Sequence, residues 1–184
     1  MQKSRIFQIV ICALFAAMTA IFSQIAIPIG PVPLNLATFA VFCAGALLGP
    51  KLGALSLGIW ALMGAAGVPV FAMFRGGLSV LARPTGGYIL GYIPAAFITG
   101  LLIEKINKTN KIFLHGVAML AGMFTYFALG TLWFVLSTNT GFAEAMTICV
   151  IPFLPGDFIK LAVAATLAHR LRPVLFKKAD SGIV

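Results

Sequence analysis

Negative charge is nearly missing from this chain: 4 of its 184 residues are Asp or Glu, and only 9% are charged at all. That scarcity removes most enzyme chemistries. No carboxylate pair, HExxH helix or Ser/His/Asp set is apparent, so no catalytic residues are expected. No G-x-x-x-x-G-K-[ST] loop occurs, so ATP is not bound here by a P-loop. The three cysteines, Cys12, Cys43 and Cys149, lie far apart within apolar runs and share no metal or redox spacing. His115 and His169 fall near the ends of predicted helices without a second ligand at metal spacing, so both read as structural. The chain is therefore expected to hold no metal and no cofactor, and to be no enzyme. A soluble domain is excluded as well, because it needs far more polar surface.

What the chain has instead is apolar length. Hydrophobic residues make up 61% of it, and the mean hydropathy is +1.07. No charge occurs from Ile6 to Pro50, Leu52 to Phe74, Pro84 to Ile103, or Ile112 to Ala143. A helix crosses a hydrocarbon core in about 20 residues. Met1–Arg5 resembles a short basic leader, but the apolar run continues without a small-residue cleavage site, so no removable signal is expected. The net charge of +9 invites nucleic acid as a partner. Against that, the basic residues sit at the ends of apolar runs, with no basic stripe carrying interleaved aromatics.

The punctuation divides the chain into six spans within one domain, residues 1–184. Prolines 28, 31 and 33 break the first run, because proline lacks a donor and clashes with a continuing helix. The spacing predicts helices over 5–27, 35–48, 52–66, 85–105, 112–137 and 157–176. The second and third are short for a bilayer, which calls for tilt, a kink or pairing. Gly45, Gly49 and Gly53 mark a tight turn between them. Residues 67–84 form a long ordered loop, and 143–150 a short amphipathic piece. The expected fold is thus an all-α integral membrane bundle of six helices, with a long outer loop between the third and fourth.

Charge then orients the bundle. With the N-terminus inside, the inner loops hold Lys3, Arg5, Lys51, Lys105, Lys108, Lys111, Arg170, Arg172, Lys177 and Lys178. The outer loops hold only Arg75 and Arg83. Ten against two follows the positive-inside rule, with both termini cytoplasmic.

On the outer side the few polar groups are informative. Asp157 and Lys160 are three apart and share one helix face. Ionisable groups in a membrane helix are costly and usually face an interior or cavity. The pair reads as the polar floor of a ligand site, or as an N-cap with its ion-pair partner; the two readings are compatible. Arg75 and Arg83 are suited to an anionic ligand by their planar forks, or are solvated or touch lipid phosphate. Gly76, Gly77, Gly86 and Gly87 would let backbone approach a ligand. Asn35 opens the second helix as an N-cap or a ligand contact. Tyr88 and Tyr92 are belt aromatics or a wall against an apolar ligand. On the first helix, small residues recur four apart, as Ala13 with Ala17 and Ala16 with Ala20, which permits close helix approach in lipid.

The stretch Gly76-Gly-Leu-Ser-Val-Leu-Ala-Arg-Pro-Thr-Gly-Gly-Tyr-Ile-Leu-Gly-Tyr92 resembles the most characteristic segment of the BioY family. Pro33-Leu-Asn-Leu-Ala-Thr-Phe-Ala-Val with Ala44-Gly-Ala-Leu-Leu-Gly49 is similar to that family's second helix, and Pro155-Gly-Asp-Phe-Ile-Lys160 to its sixth. Arg83 stands where the family usually has Gly, and Ala37 where Gln is common. The resemblance implies the biotin-binding S component of an energy-coupling-factor importer in a prokaryotic cell membrane. It also implies a transmembrane coupling subunit and two ATPase subunits on other chains, with helix 1 as the docking face. The implied ligand contacts are Asp157, Lys160, Arg75, Arg83, Asn35, Thr85, Gly86, Gly87 and Tyr88. The rivals are an S component for another vitamin and a stand-alone small-solute carrier; the carrier needs a titratable relay that the spans do not supply.

Overall fold

The computed structural model describes residues 5–29, 32–106 and 111–180. In chain order these form α1 (Arg5–Gln24), a hairpin of β1 (Ala26–Ile29) and β2 (Val32–Asn35), α2 (Ala37–Leu48), α3 (Pro50–Ala65), a 3-10 turn (Ala72–Phe74), α4 (Leu78–Ala82), α5 (Gly86–Ile106), α6 (Ile112–Thr138), α7 (Phe142–Cys149) and α8 (Leu154–Asp180). Six helices, α1, α2, α3, α5, α6 and α8, make the bundle. The all-α membrane architecture read from the sequence is the one observed. Helices α1, α5 and α6 are each long and apolar enough to cross a bilayer alone, and α7 with α8 forms a further apolar pair bent by 56°.

Helix α2 has 12 residues, about 18 Å at 1.5 Å per residue, so it cannot span alone. Its position explains its composition. Ten of its residues are buried, as expected of a helix that is apolar all round. It ends at Gly49, whose φ of 83° is costly for residues with a Cβ. Pro50 then opens α3 at the first position, where a missing N–H costs no helical bond. The expected tight turn is thus one residue wide. The flanking glycines serve packing: a Cβ at Gly53 would lie 2.8 Å from the Ala44 carbonyl oxygen, and one at Gly45 2.6 Å from that of Ala96.

Three elements differ from the sequence reading. The first helix stops at Gln24 rather than residue 27, because Ala26–Ile29 pairs antiparallel with Val32–Asn35, with Pro28 opposite Pro33. The prolines do break the helix, and the Ile and Val between them favour an extended ladder. The long connection at 67–84 contains the 3-10 turn and α4. It is clasped to α1: Gln24 Nε2 donates to the Phe71 carbonyl at 3.1 Å, and Gln24 Oε1 accepts the Phe74 N–H at 2.8 Å. Ser23 Oγ and Trp60 Nε1 both donate to the Val70 carbonyl. Finally, α8 begins three residues before Asp157, so that Pro155 and Gly156 lie inside its first turn. The short piece expected at 143–150 is α7.

Two ends of the bundle are now distinct. At one, Cys12 reaches the Leu52 carbonyl, Arg172 reaches that of Ile103, and Gly49 lies against Glu104. Arg5, Lys51, Lys105 and Lys111 belong to this basic end, so the start of α1 and the late part of α8 share it. The polar turn at 106–111 falls largely outside the described residues. The opposite end carries the hairpin, the clasped connection, α7 and the start of α8.

Candidate functional site

At the hairpin end a small cleft of about 30 Å³ opens between β2, α2, α5, α6, α7 and α8. Its polar floor is built from side chains far apart in sequence. Lys160 Nζ lies 2.5 Å from Asp157 Oδ1, the i,i+3 contact expected on one face of α8. Lys160 also donates to Thr38 Oγ1 and to the Asn35 carbonyl, both at 2.8 Å. The Thr38 hydroxyl donates in turn to Asp157 Oδ1 at 3.1 Å, and the Tyr126 hydroxyl donates to Oδ2. Asp157 and Lys160 are 2% and 8% exposed. Two charges buried this deeply survive only when paired and hydrogen-bonded, which these are.

Asp157 is not the N-cap of α8. Its backbone N–H already donates within the helix, to the Phe153 carbonyl at 2.9 Å, and its carboxylate points sideways to α2 and α6. Asn35 is the last residue of β2, one before the N-cap residue Leu36; its Oδ1 accepts the Ala37 N–H at 3.0 Å at the start of α2, while its own carbonyl accepts from Lys160.

Aromatic rings wall the cleft. All three tyrosines of the chain line it, together with Phe127 and Phe153. The Tyr88 hydroxyl bonds Thr131 Oγ1 at 3.0 Å. Tyr92 stacks on Trp60 with centroids 6.1 Å apart and meets Tyr126 edge-on at 5.5 Å. The arrangement offers an apolar slot over a neutral, hydrogen-bonded pair of opposite charges. It suits a small ligand with an apolar body and a few polar groups.

The structure brings Asn35, Tyr88, Asp157 and Lys160 together at this cleft. Thr85, just before α5, and Gly86 and Gly87 at its start are not among the residues that line the cleft. The Thr85 carbonyl accepts the Tyr88 N–H. A Cβ at Gly86 would strike the Leu81 carbonyl oxygen, and one at Gly87 would strike the Trp133 side chain. These glycines let α4 and α6 approach the start of α5 and so fix where Tyr88 points. Arg75 and Arg83 are exposed at the same end, outside the cleft. On α1, Ala13 and Ala17 are exposed, Ala16 is buried and Ala20 is half-buried. Thr38 and Tyr126 escaped the sequence reading. Thr38 follows Asn35 by three residues, across the junction of β2 and α2. Tyr126 is the single phenol in the apolar run of α6.

A small-ligand cleft at one end of a helical membrane bundle is the class of protein that fold and site define. The match to known proteins narrows it. The model of the BioY family covers residues 1–177, and the chain belongs to that family. It is 41% identical over 165 residues to a probable biotin transporter BioY of Pyrococcus horikoshii, covering 90% of this chain and 96% of the relative. It is 42% identical over 166 residues to the biotin transporter BioY of Thermotoga maritima, covering 90% and 95%. A crystal structure of the S-component for biotin from an ECF-type ABC transporter superposes with a TM-score of 0.86 at 28% identity, covering 94% of this chain and 95% of that one.

Proposed function

We propose that this chain captures biotin at the outer face of a prokaryotic cell membrane, as the substrate-binding subunit of an ATP-driven importer. The coupling subunit and the two ATPase subunits are separate chains. The observation that carries the reading is the cleft itself: a satisfied Asp157–Lys160 pair under an aromatic wall, in a bundle of the family's shape. Biotin matches it in kind. The fused rings and valerate chain are apolar, the ureido ring offers two N–H donors to an acceptor such as Asp157, and the acid is an anion at an end that carries Arg75 and Arg83. The purified chain binds one biotin in a calorimetric titration without ATP. No heat with biotin, alongside clear heat with another vitamin, reassigns the substrate and keeps the fold.

In this reading the basic end is cytoplasmic, because Lys and Arg concentrate on that side of membrane proteins. Lys111 and Arg83 are both exposed, at opposite ends. In a variant lacking Cys12, Cys43 and Cys149, an impermeant thiol reagent labels Arg83→Cys in intact cells, and labels Lys111→Cys only after permeabilisation. The reverse pattern inverts the topology.

A further inference from the structure

Donor supply in the cleft leads beyond the charged pair. An ammonium has three donors. Those of Lys160 go to Asp157, Thr38 and the Asn35 carbonyl, so none is left for a ligand. The hydroxyls of Tyr126 and Thr38 are spent on Asp157, and Tyr88 is engaged with Thr131. Tyr92 is different. Its ring is 7% exposed and held between Trp60 and Tyr126, yet its hydroxyl has no hydrogen-bond partner among the described residues. Nor is that oxygen sealed away from solvent, so it borders open space, and the cleft is the open space beside it.

A buried phenol without a partner loses a hydrogen bond that water would supply. The structure therefore assigns Tyr92 as a ligand-binding residue: its O–H donates to the neutral carbonyl oxygen of a cyclic urea whose N–H faces Asp157. The inference rests on the biotin reading and adds an atom-to-atom contact to it. The chemistry is complementary. Asp157 only accepts, so it takes an N–H. The adjoining carbonyl needs a donor, and the phenol supplies one. Stacking on Trp60 and the edge contact with Tyr126 hold the ring in place, so little rotamer freedom is lost when the ligand arrives.

The test is Tyr92→Phe, which keeps the ring and removes only the hydroxyl. Two ligands are titrated into wild type and variant: biotin, and its cyclic thiourea counterpart, in which a weakly accepting sulfur replaces the ureido oxygen. Wild type prefers biotin. In the variant, biotin affinity falls about 5- to 150-fold while thiourea affinity barely changes, so the preference collapses. The melting temperature of the ligand-free protein stays put, because the hydroxyl had no protein partner to lose. Unchanged biotin affinity overturns the assignment. Equal losses for both ligands overturn the contact with the ureido oxygen. Wild-type protein that binds neither ligand defeats the biotin reading itself, a result separable from the other two because it appears before any substitution.

Discussion

Asp157→Asn and Lys160→Ala each lower biotin affinity by roughly 30-fold to several-thousand-fold, while Arg170→Ala leaves it unchanged. The range follows from truncating one member of a buried, hydrogen-bonded charge set, which costs about 2–5 kcal/mol, much of it the penalty of leaving the partner unpaired. The structure says who is left unpaired. Without its charge, residue 157 no longer holds the ammonium 2.5 Å away, and the donors of Thr38 and Tyr126 meet a weaker acceptor. Without Lys160, whose three donors are all spent inside the protein, a carboxylate that is 2% exposed keeps two neutral donors among the described residues and loses the cation that fixes its orientation toward the ligand, so affinity falls through Asp157. Arg170 is exposed toward the basic end, ten residues or about 15 Å along α8 from Lys160. Titration of each variant, after its ligand-free melting curve confirms folding, measures the effect. Near-wild-type affinity in both site variants makes the pair a purely structural bridge between α2 and α8.

Replacing Ala13 and Ala17 together with Trp abolishes biotin uptake in cells yet leaves the isolated chain binding biotin normally. Both alanines are exposed, so bulk added there points away from the bundle. Helices in lipid associate by close backbone approach, which small residues four apart permit and an indole prevents. If the proposed coupling subunit docks on this stripe it is pushed off, and its recovery in a pull-down falls with uptake. The neighbouring pair behaves differently. Ala16 is 2% exposed, so Ala16→Trp strikes the interior and lowers stability instead. Uptake that persists with Trp at both 13 and 17 places the docking face elsewhere, and lost biotin binding in the isolated variant means that the stripe packs inside this protein.

The helices were readable because lipid imposes a simple rule: long charge-free runs, interrupted by proline and glycine, with cations at one end. The burial of α2 was not readable, since an apolar helix facing protein looks the same as one facing acyl chains. The hairpin was hidden for a related reason. Its strands are four residues each and rich in proline, too short to show alternation, and their pairing was visible only once β1 and β2 met. Half of the polar floor was legible as Asp157 and Lys160, whose spacing is local. The other half comes from Thr38 and Tyr126, which are 119 and 31 residues away in sequence from the carboxylate they bond. Such contacts are set by the packing of α2 and α6 against α8, and no periodicity within one helix encodes them. The glycines of 86–87 carried a real signal: they admit α4 and α6 to the start of α5.

The close glycine contacts among α2, α3 and α5 bear on how the protein responds to temperature. The helices are joined by dispersion between backbones, with carbonyl oxygens of Ala44 and Ala96 where side chains would otherwise be. Parting them inside a bilayer exposes those surfaces to acyl chains, not to water. The heat-capacity increment of ordinary unfolding comes from hydrating apolar surface, and here most of that hydration never happens. The cohesion of this bundle is thus largely enthalpic and nearly linear in temperature, without the weakening on cooling that water-driven cores show.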